Sequence, residues 1–258
     1  MIKQNNKILY IIFVAMVFIY AYPVMASINK NQVTKKEQAV FAFFRALGSA
    51  PDYDYWIKSK PTYKSLPTKN QENYLLNETL RLGGGYGSFD QDIDLLELKI
   101  NVSAIYSPAV DGKKPRILFE FFKSSRNYTP TFNYPYGDEI LSLVINKLAL
   151  YSDMELNEKQ NEAVLKKIPY EDKYFDATLI VHVRVDKANY KKPIKTKPVK
   201  QWLMVGEIAY LRCDVSSYET GRKYMLWDYV APWHEEVFRM KNMPEEGKYP
   251  HPFDLFKD

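Results

Sequence analysis

The sequence predicts an α+β fold: an antiparallel sheet of about five strands with helices packed on one face, after an N-terminal signal sequence. Three observations lead there. Several segments alternate apolar and polar residues with period two, they follow one another in hairpin order, and helical segments with their own start and stop signals precede, separate and follow them. With 46% apolar and 26% charged residues, the 258-residue chain has the composition of a folded protein rather than a disordered one.

The first residues hold Lys3 and Lys7 and no acid, followed by an apolar run from Ile8 to Tyr22, Pro23, and the small residue Ala26. This is the layout of a secretory signal. The fifteen residues of the run, as a helix, reach only about 22 Å, against the roughly 30 Å of a bilayer's hydrocarbon core. Cleavage after Ala26 is therefore expected, with an uncleaved helix at the membrane surface as the alternative. The expected organisation is a signal peptide at 1–26 and one α+β domain at 27–258. Removing the signal lowers the net charge from +5 to +3, too mild to demand nucleic acid.

Thr34 and Glu37 form a capping box, Val40, Phe41, Phe44 and Leu47 share a helical face, and Gly48 is placed to stop that helix. An irregular aromatic loop is expected over 51–67. A second helix is expected from Thr68, with Gln71 in the capping-box position, through Leu75, Leu76 and Leu80 to a stop at Gly83. In LELKINVSAIY, Leu96, Leu98, Ile100, Val102, Ala104 and Tyr106 alternate with polar residues, the mark of a strand with one buried face. Asp111-Gly112 turns the chain into the partner strand RILFEFF. A core helix is expected from Asp138 to Tyr151, and a more polar one from Asn157 to Ile168. Strands follow in ATLIVHVRVD, with Ala177, Leu179, Val181, Val183 and Val185 inward, in QWLMVGEIAYLRCDV and in RKYMLWDYV; PWHEEVFRM is a last short helix.

The motifs exclude several chemistries. LGGGYGSFDQDID places Gly83, Gly84, Gly85 and Gly87 beside Asp90, Asp92 and Asp94, but the glycines follow a helix instead of preceding one, so no phosphate cradle is expected. An EF-hand starting at Asp90 fails at its sixth and twelfth positions, Leu95 and Asn101. HEEVF has Phe238 where a zinc-protease helix needs its second histidine. Hence no metal, no cofactor and no catalytic residue is assigned. The single cysteine, Cys213, rules out an internal disulfide and a lipidated mature N-terminus, and its apolar strand context makes it a buried hydrophobe. The chain is read as bacterial, exported to the periplasm or secreted, so the sequons at Asn77, Asn101 and Asn127 carry little weight.

What remains points to binding. YKKPIKTKPVKQ holds Lys191, Lys192, Lys195, Lys197 and Lys200 with no acid, between two expected strands. Such a hairpin tip suits an anionic envelope polymer, lipid headgroups or an acidic protein. His182 and Arg184 share the polar face of one strand about 6.6 Å apart, close enough to address one ligand. The abundant aromatics, 21 Tyr, 14 Phe and 4 Trp, suit sugar stacking or interface anchoring. The expected role is thus a non-enzymatic interaction module for an envelope protein or an anionic envelope polymer, with a membrane as partner only if the N-terminal helix is retained. The competing class is a small envelope hydrolase or glycan-binding protein.

Overall fold

The structure is a computed structural model that describes residues 33–120, 130–166, 174–216 and 223–242. The expected signal at 1–26 and the sequon at Asn127 lie outside the described residues. Helix α1 (Lys35–Leu47) begins at the expected box: Thr34 Oγ1 accepts the Glu37 N–H at 3.2 Å, and Glu37 Oε2 accepts the Thr34 N–H at 3.0 Å. It ends at Gly48, φ 69°. Every residue from Ala39 to Phe44 is buried, because α1 lies between the sheet on one side and helices on the other. Phe44 meets Tyr136 of the sheet and Phe43 meets Tyr190 just past a strand end, while Phe41 meets Trp56 and Tyr86.

Those outer helices depart from the sequence reading. Residues 51–67 are not irregular: α2 (Tyr53–Ser59) is capped by Asp52, whose Oδ1 accepts the Tyr55 N–H, and α3 (Pro61–Ser65) starts on its proline. Helix α4 (Thr68–Ser88) does not stop at Gly83 and has no capping box. Gln71 instead donates to the carbonyl oxygens of Leu66 and Tyr63. Of these glycines Gly85 serves close packing: a Cβ there would lie 3.0 Å from Val33 Cγ2 and 3.2 Å from Phe41 Cε2. Tertiary contact with α1 thus overrides the roughly 1 kcal/mol that each interior glycine costs a helix.

The strands form one mixed sheet in the order β3-β4-β7-β6-β1-β2-β5, with β8 added to β7. They are β1 (Leu96–Ser107), β2 (Arg116–Glu120), β3 (Thr131–Tyr136), β4 (Glu139–Ile145), β5 (Asp153–Glu155), β6 (Tyr174–Asn189), β7 (Gln201–Ser216) and β8 (Lys223–Val230). The expected antiparallel sheet of five strands is corrected to a mixed one of eight. The alternations in β1 and β6 hold, with Leu96, Leu98, Val102 and Ala104 buried beside Ala177, Leu179, Val181, Val183 and Val185. Asp111 and Gly112, φ 52° and 77°, make the β1–β2 turn.

The expected core helix at Asp138–Tyr151 is overturned. Residues 131–145 form the hairpin β3–β4, turning at Gly137 (φ 64°), where a Cβ would run into the Tyr55 ring. Strand β4 then pairs in parallel with β7, Ile140–Ile145 against Gln201–Gly206, and Leu148–Tyr151 is a short 3₁₀ turn. Consecutive β4 residues Leu141, Ser142 and Leu143 are all buried. A strand covered on both faces reads as an unbroken apolar run, which periodicity does not distinguish from a core helix.

Strand β7 is long enough, at 16 residues, to hold two neighbours on one edge. Its first half pairs with β4 and its second half, Tyr210–Ser216, with antiparallel β8. The ends of these two neighbours meet at its middle, where Asn146 N–H donates to Gly206 O at 2.8 Å and Ala231 N–H to Ala209 O at 2.9 Å. Helix α5 (Glu158–Leu165) follows β5 where the polar helix was expected, and the structure adds a capping box between Asn157 and Gln160. After β8, a 3₁₀ turn (Pro232–His234) leads into α6 (Glu235–Asn242). This last helix lies on the sheet face opposite α1, so helices are not confined to one face.

Candidate functional site

The alternation that turns Val181, Val183 and Val185 inward turns His182 and Arg184 to the other face, where cross-strand register sets Glu97, His182 and Tyr210 in one row and Arg184 beside Glu207. His182 Nε2 is 3.8 Å from Glu97 Oε2, and its ring meets Tyr210 edge-on at 5.3 Å. Arg184 donates to Asp92 Oδ1 at 2.7 Å and Glu207 Oε2 at 2.9 Å, and its guanidinium lies 3.9 Å from the centre of the Trp233 ring. It is therefore committed to groups of its own chain. Phe238 of α6 stacks on Tyr210 at 4.8 Å, and Lys241 donates to the Ile93 carbonyl.

His234, in the turn that leads into α6, is 2% exposed, and among the described residues its Nδ1 has no hydrogen-bond partner. Burial holds its pKa below the usual histidine value, reinforced by Lys241, by any charge on His182 and by Arg184, and opposed by Asp92. His182 is held low in the same way, by burial first, with Glu97 opposing and Lys241, Arg212 and Lys35 adding to the effect. Both imidazoles are thus favoured in the neutral form, and the Pro232–Asn242 segment, which carries His234, covers this face of the sheet as a cap.

The aspartates of the glycine-rich stretch serve the turn and this face. Asp90 Oδ1 accepts the Asp92 N–H at 2.9 Å, Asp94 Oδ2 accepts the Asp90 N–H at 3.0 Å, and Asp92 pairs with Arg184. Among the described residues no group of three His, Cys, Asp or Glu side chains is arranged to hold a metal ion. Cys213 is 1% exposed, and burial pushes its thiol up to about 12, so it is an unreactive core residue.

The lysine segment is a separate region. Arg184 and Asn189 are five residues apart along β6, about 17 Å, so the sequence-derived candidates divide into two groups rather than one. Residues 190–200 join the antiparallel strands β6 and β7, as expected, and all five lysines are exposed. The loop is built, not loose. Asn189 Oδ1 accepts the N–H groups of Lys191 and Lys192, at 2.9 and 3.1 Å, while Ile194 N–H donates to Gln201 O and Gln201 N–H to Lys195 O.

No family model, curated protein or solved structure matches this chain. Its residues alone must carry the functional reading.

The base of the loop is fixed by a group that sequence reasoning missed. Glu139 Oε2, on β4, accepts from Tyr190 OH at 2.8 Å and from Trp202 Nε1 at 2.9 Å, and its other oxygen is 3.6 Å from Lys200 Nζ. Tyr190 and Trp202 pack at 4.5 Å, against Phe43, Phe44 and Tyr136. The aromatics flanking the lysine run were the available signal, but Glu139 is distant in sequence and was read as part of a helix. Three acids of the adjoining strands and turn pair with other lysines: Glu139 with Lys200, Asp138 with Lys64 and Asp186 with Lys187. Lys191, Lys192, Lys195 and Lys197 form no ion pair among the described residues. A pinned loop with four unneutralised ammonium groups is what this arrangement offers a ligand.

Proposed function

We propose that this chain is an exported, non-enzymatic binding module that holds an anionic partner through the Lys191–Lys200 loop. The observation that carries the reading is the anchored loop with its four unpaired lysines. Ammonium groups free of internal partners keep their charge available, and fixing the loop beforehand lowers the ordering cost of association. Export is supported by the Lys3 to Ala26 pattern of charge, apolar run and small residue. Among the described residues no helix is long and apolar enough to cross a membrane.

The test is retention on a polyanion such as immobilised heparin. The wild-type domain should be retained and should elute with rising salt as its charges are screened. Replacing Lys192, Lys195 and Lys197 by serine should move elution to markedly lower salt while shifting stability by less than about 0.5 kcal/mol, as exposed substitutions do. Retention that ignores both salt and the triple substitution would sink the reading.

A further inference from the structure

We infer that the anionic partner of the lysine loop is a lipid surface, with Ile194 as the residue that enters it; this rests on the function proposed above. Ile194 is 52% exposed, although it sits in a segment held by its own N–H bond to Gln201 O and by the Lys195–Gln201 bridge. The fold therefore presents the aliphatic side chain outward at a fixed position. Lys191, Lys192, Lys195 and Lys197 surround it in sequence, and Pro198 beside them is also exposed.

Two features of this surface favour lipid over a soluble polyanion. A hydrated polymer gives an isoleucine nothing to pack against, whereas the boundary between headgroups and acyl chains removes it from water while its neighbours stay with the phosphates. The cations are also all lysines, compact point charges on flexible stems rather than the planar forks that read one phosphate in a fixed geometry. Lysines suit a laterally mobile array of headgroups, where each contributes additively near the surface. Hence the loop lies flat against an anionic bilayer, with its lysines at phosphate level and Ile194 below them.

The experiment is co-sedimentation of the residue 27–258 chain with vesicles of phosphatidylcholine alone or mixed with phosphatidylglycerol, run beside the heparin measurement. Wild type should bind the mixed vesicles and not the neutral ones. Ile194→Ser should weaken vesicle binding about fivefold to tenfold and leave heparin elution unchanged. Lys192, Lys195 and Lys197 changed together to serine should lower vesicle affinity about a hundredfold and heparin retention with it. If Ile194→Ser binds vesicles as wild type does, or wild type binds heparin but no vesicles, the lipid assignment fails and the partner is a soluble polyanion or acidic protein. If wild type binds neither, the proposed function fails as well.

Discussion

Glu37 does two jobs with one carboxylate. Its Oε2 closes the α1 capping box, and both oxygens also receive Arg81, Nη2 at 2.6 Å from Oε1 and Nη1 at 3.3 Å from Oε2. Arg81 reaches Glu78 through Nε at 2.8 Å, and Lys60 bridges the same two acids at 3.3 and 3.0 Å. Two acids and two bases thus tie α1 to α4 and to the α2–α3 junction. Burial raises the Glu37 carboxyl, but Arg81, the Thr34 N–H and Lys60 outweigh it and leave it below its usual range. For Glu78 the Arg81 hydrogen bonds dominate over burial, with Lys60 helping, and hold it down to about 2. Arg81→Met should cost about 3 kcal/mol in chemical denaturation, because it strands two poorly hydrated carboxylates with one lysine. The folded pKa of Glu78 lies below its ordinary 4.5, so its contribution is complete above that value and declines as pH falls from about 4.5 towards about 2. Arg81→Met should flatten that part of the acid-unfolding profile. A second residue-scale test is Gly206→Ala: a Cβ there would overlap Val183 Cγ1 and stand 3.0 Å from Leu143 Cδ1. Overpacking at this crossing of β4, β6 and β7 should lower stability by about 1–3 kcal/mol.

Helix α6 shows how little can hold an element in place. None of its residues is buried; it rests on the Phe238–Tyr210 stack and the Lys241–Ile93 bond, and follows directly on His234. His182 on the sheet and His234 in the turn before this helix both have pKa values below the ordinary 6.5. The unfolded chain therefore binds more protons just below that pH, and the stability lent by the neutral rings is complete above about 6.5 and declines as pH falls through it. Trp233 lies 5.3 Å from His234 and reports the event. Its fluorescence should change with a midpoint below pH 6.5, and His234→Phe with His182→Gln should abolish the change. A pH-independent signal in wild type would show that the cap does not respond to protonation. At this scale the sequence was readable wherever an element declares itself locally: the Thr34 box, the Asp111-Gly112 turn and the period-two alternation of β1 and β6 are all where expected. It misled where a distant partner decides. Gly83 to Gly85 look like a stop until Phe41 of α1 packs against Gly85, and Glu139–Ile145 looks helical until β7 lies alongside.

The same division holds for the molecule as a whole. The antiparallel core β2-β1-β6-β7-β8 was legible because adjacent alternating segments pair through short or evident connections, apart from the β1–β6 pairing. The parallel β4–β7 contact and the placing of α6 on the opposite face were not, since they depend on partners far apart in sequence, such as Leu141 with Trp202 and Ile93 with Lys241, and the β3–β4 hairpin was hidden because β4, buried on both faces, looks like a core helix. The candidate site divides likewise. The loop lysines were visible as an uninterrupted charge run, while Glu139, which fixes the loop's base, and Trp233, which occupies Arg184, have no local signature.

The sharing of one β7 edge by β4 and β8 also sets an order of events in time. Strand β4 has its hairpin partner early, but its other edge waits for residues 201–206, and β8 has nowhere to dock before β7 exists. Pairings of such long sequence separation fold slowly, because the intervening chain must be closed before the contact repays it. A chain ending at Lys200 should accordingly remain open to protease, and the full chain should acquire resistance only after its last quarter is released from the ribosome. Until then the edge that both strands need is missing, and the sheet stays open along its middle.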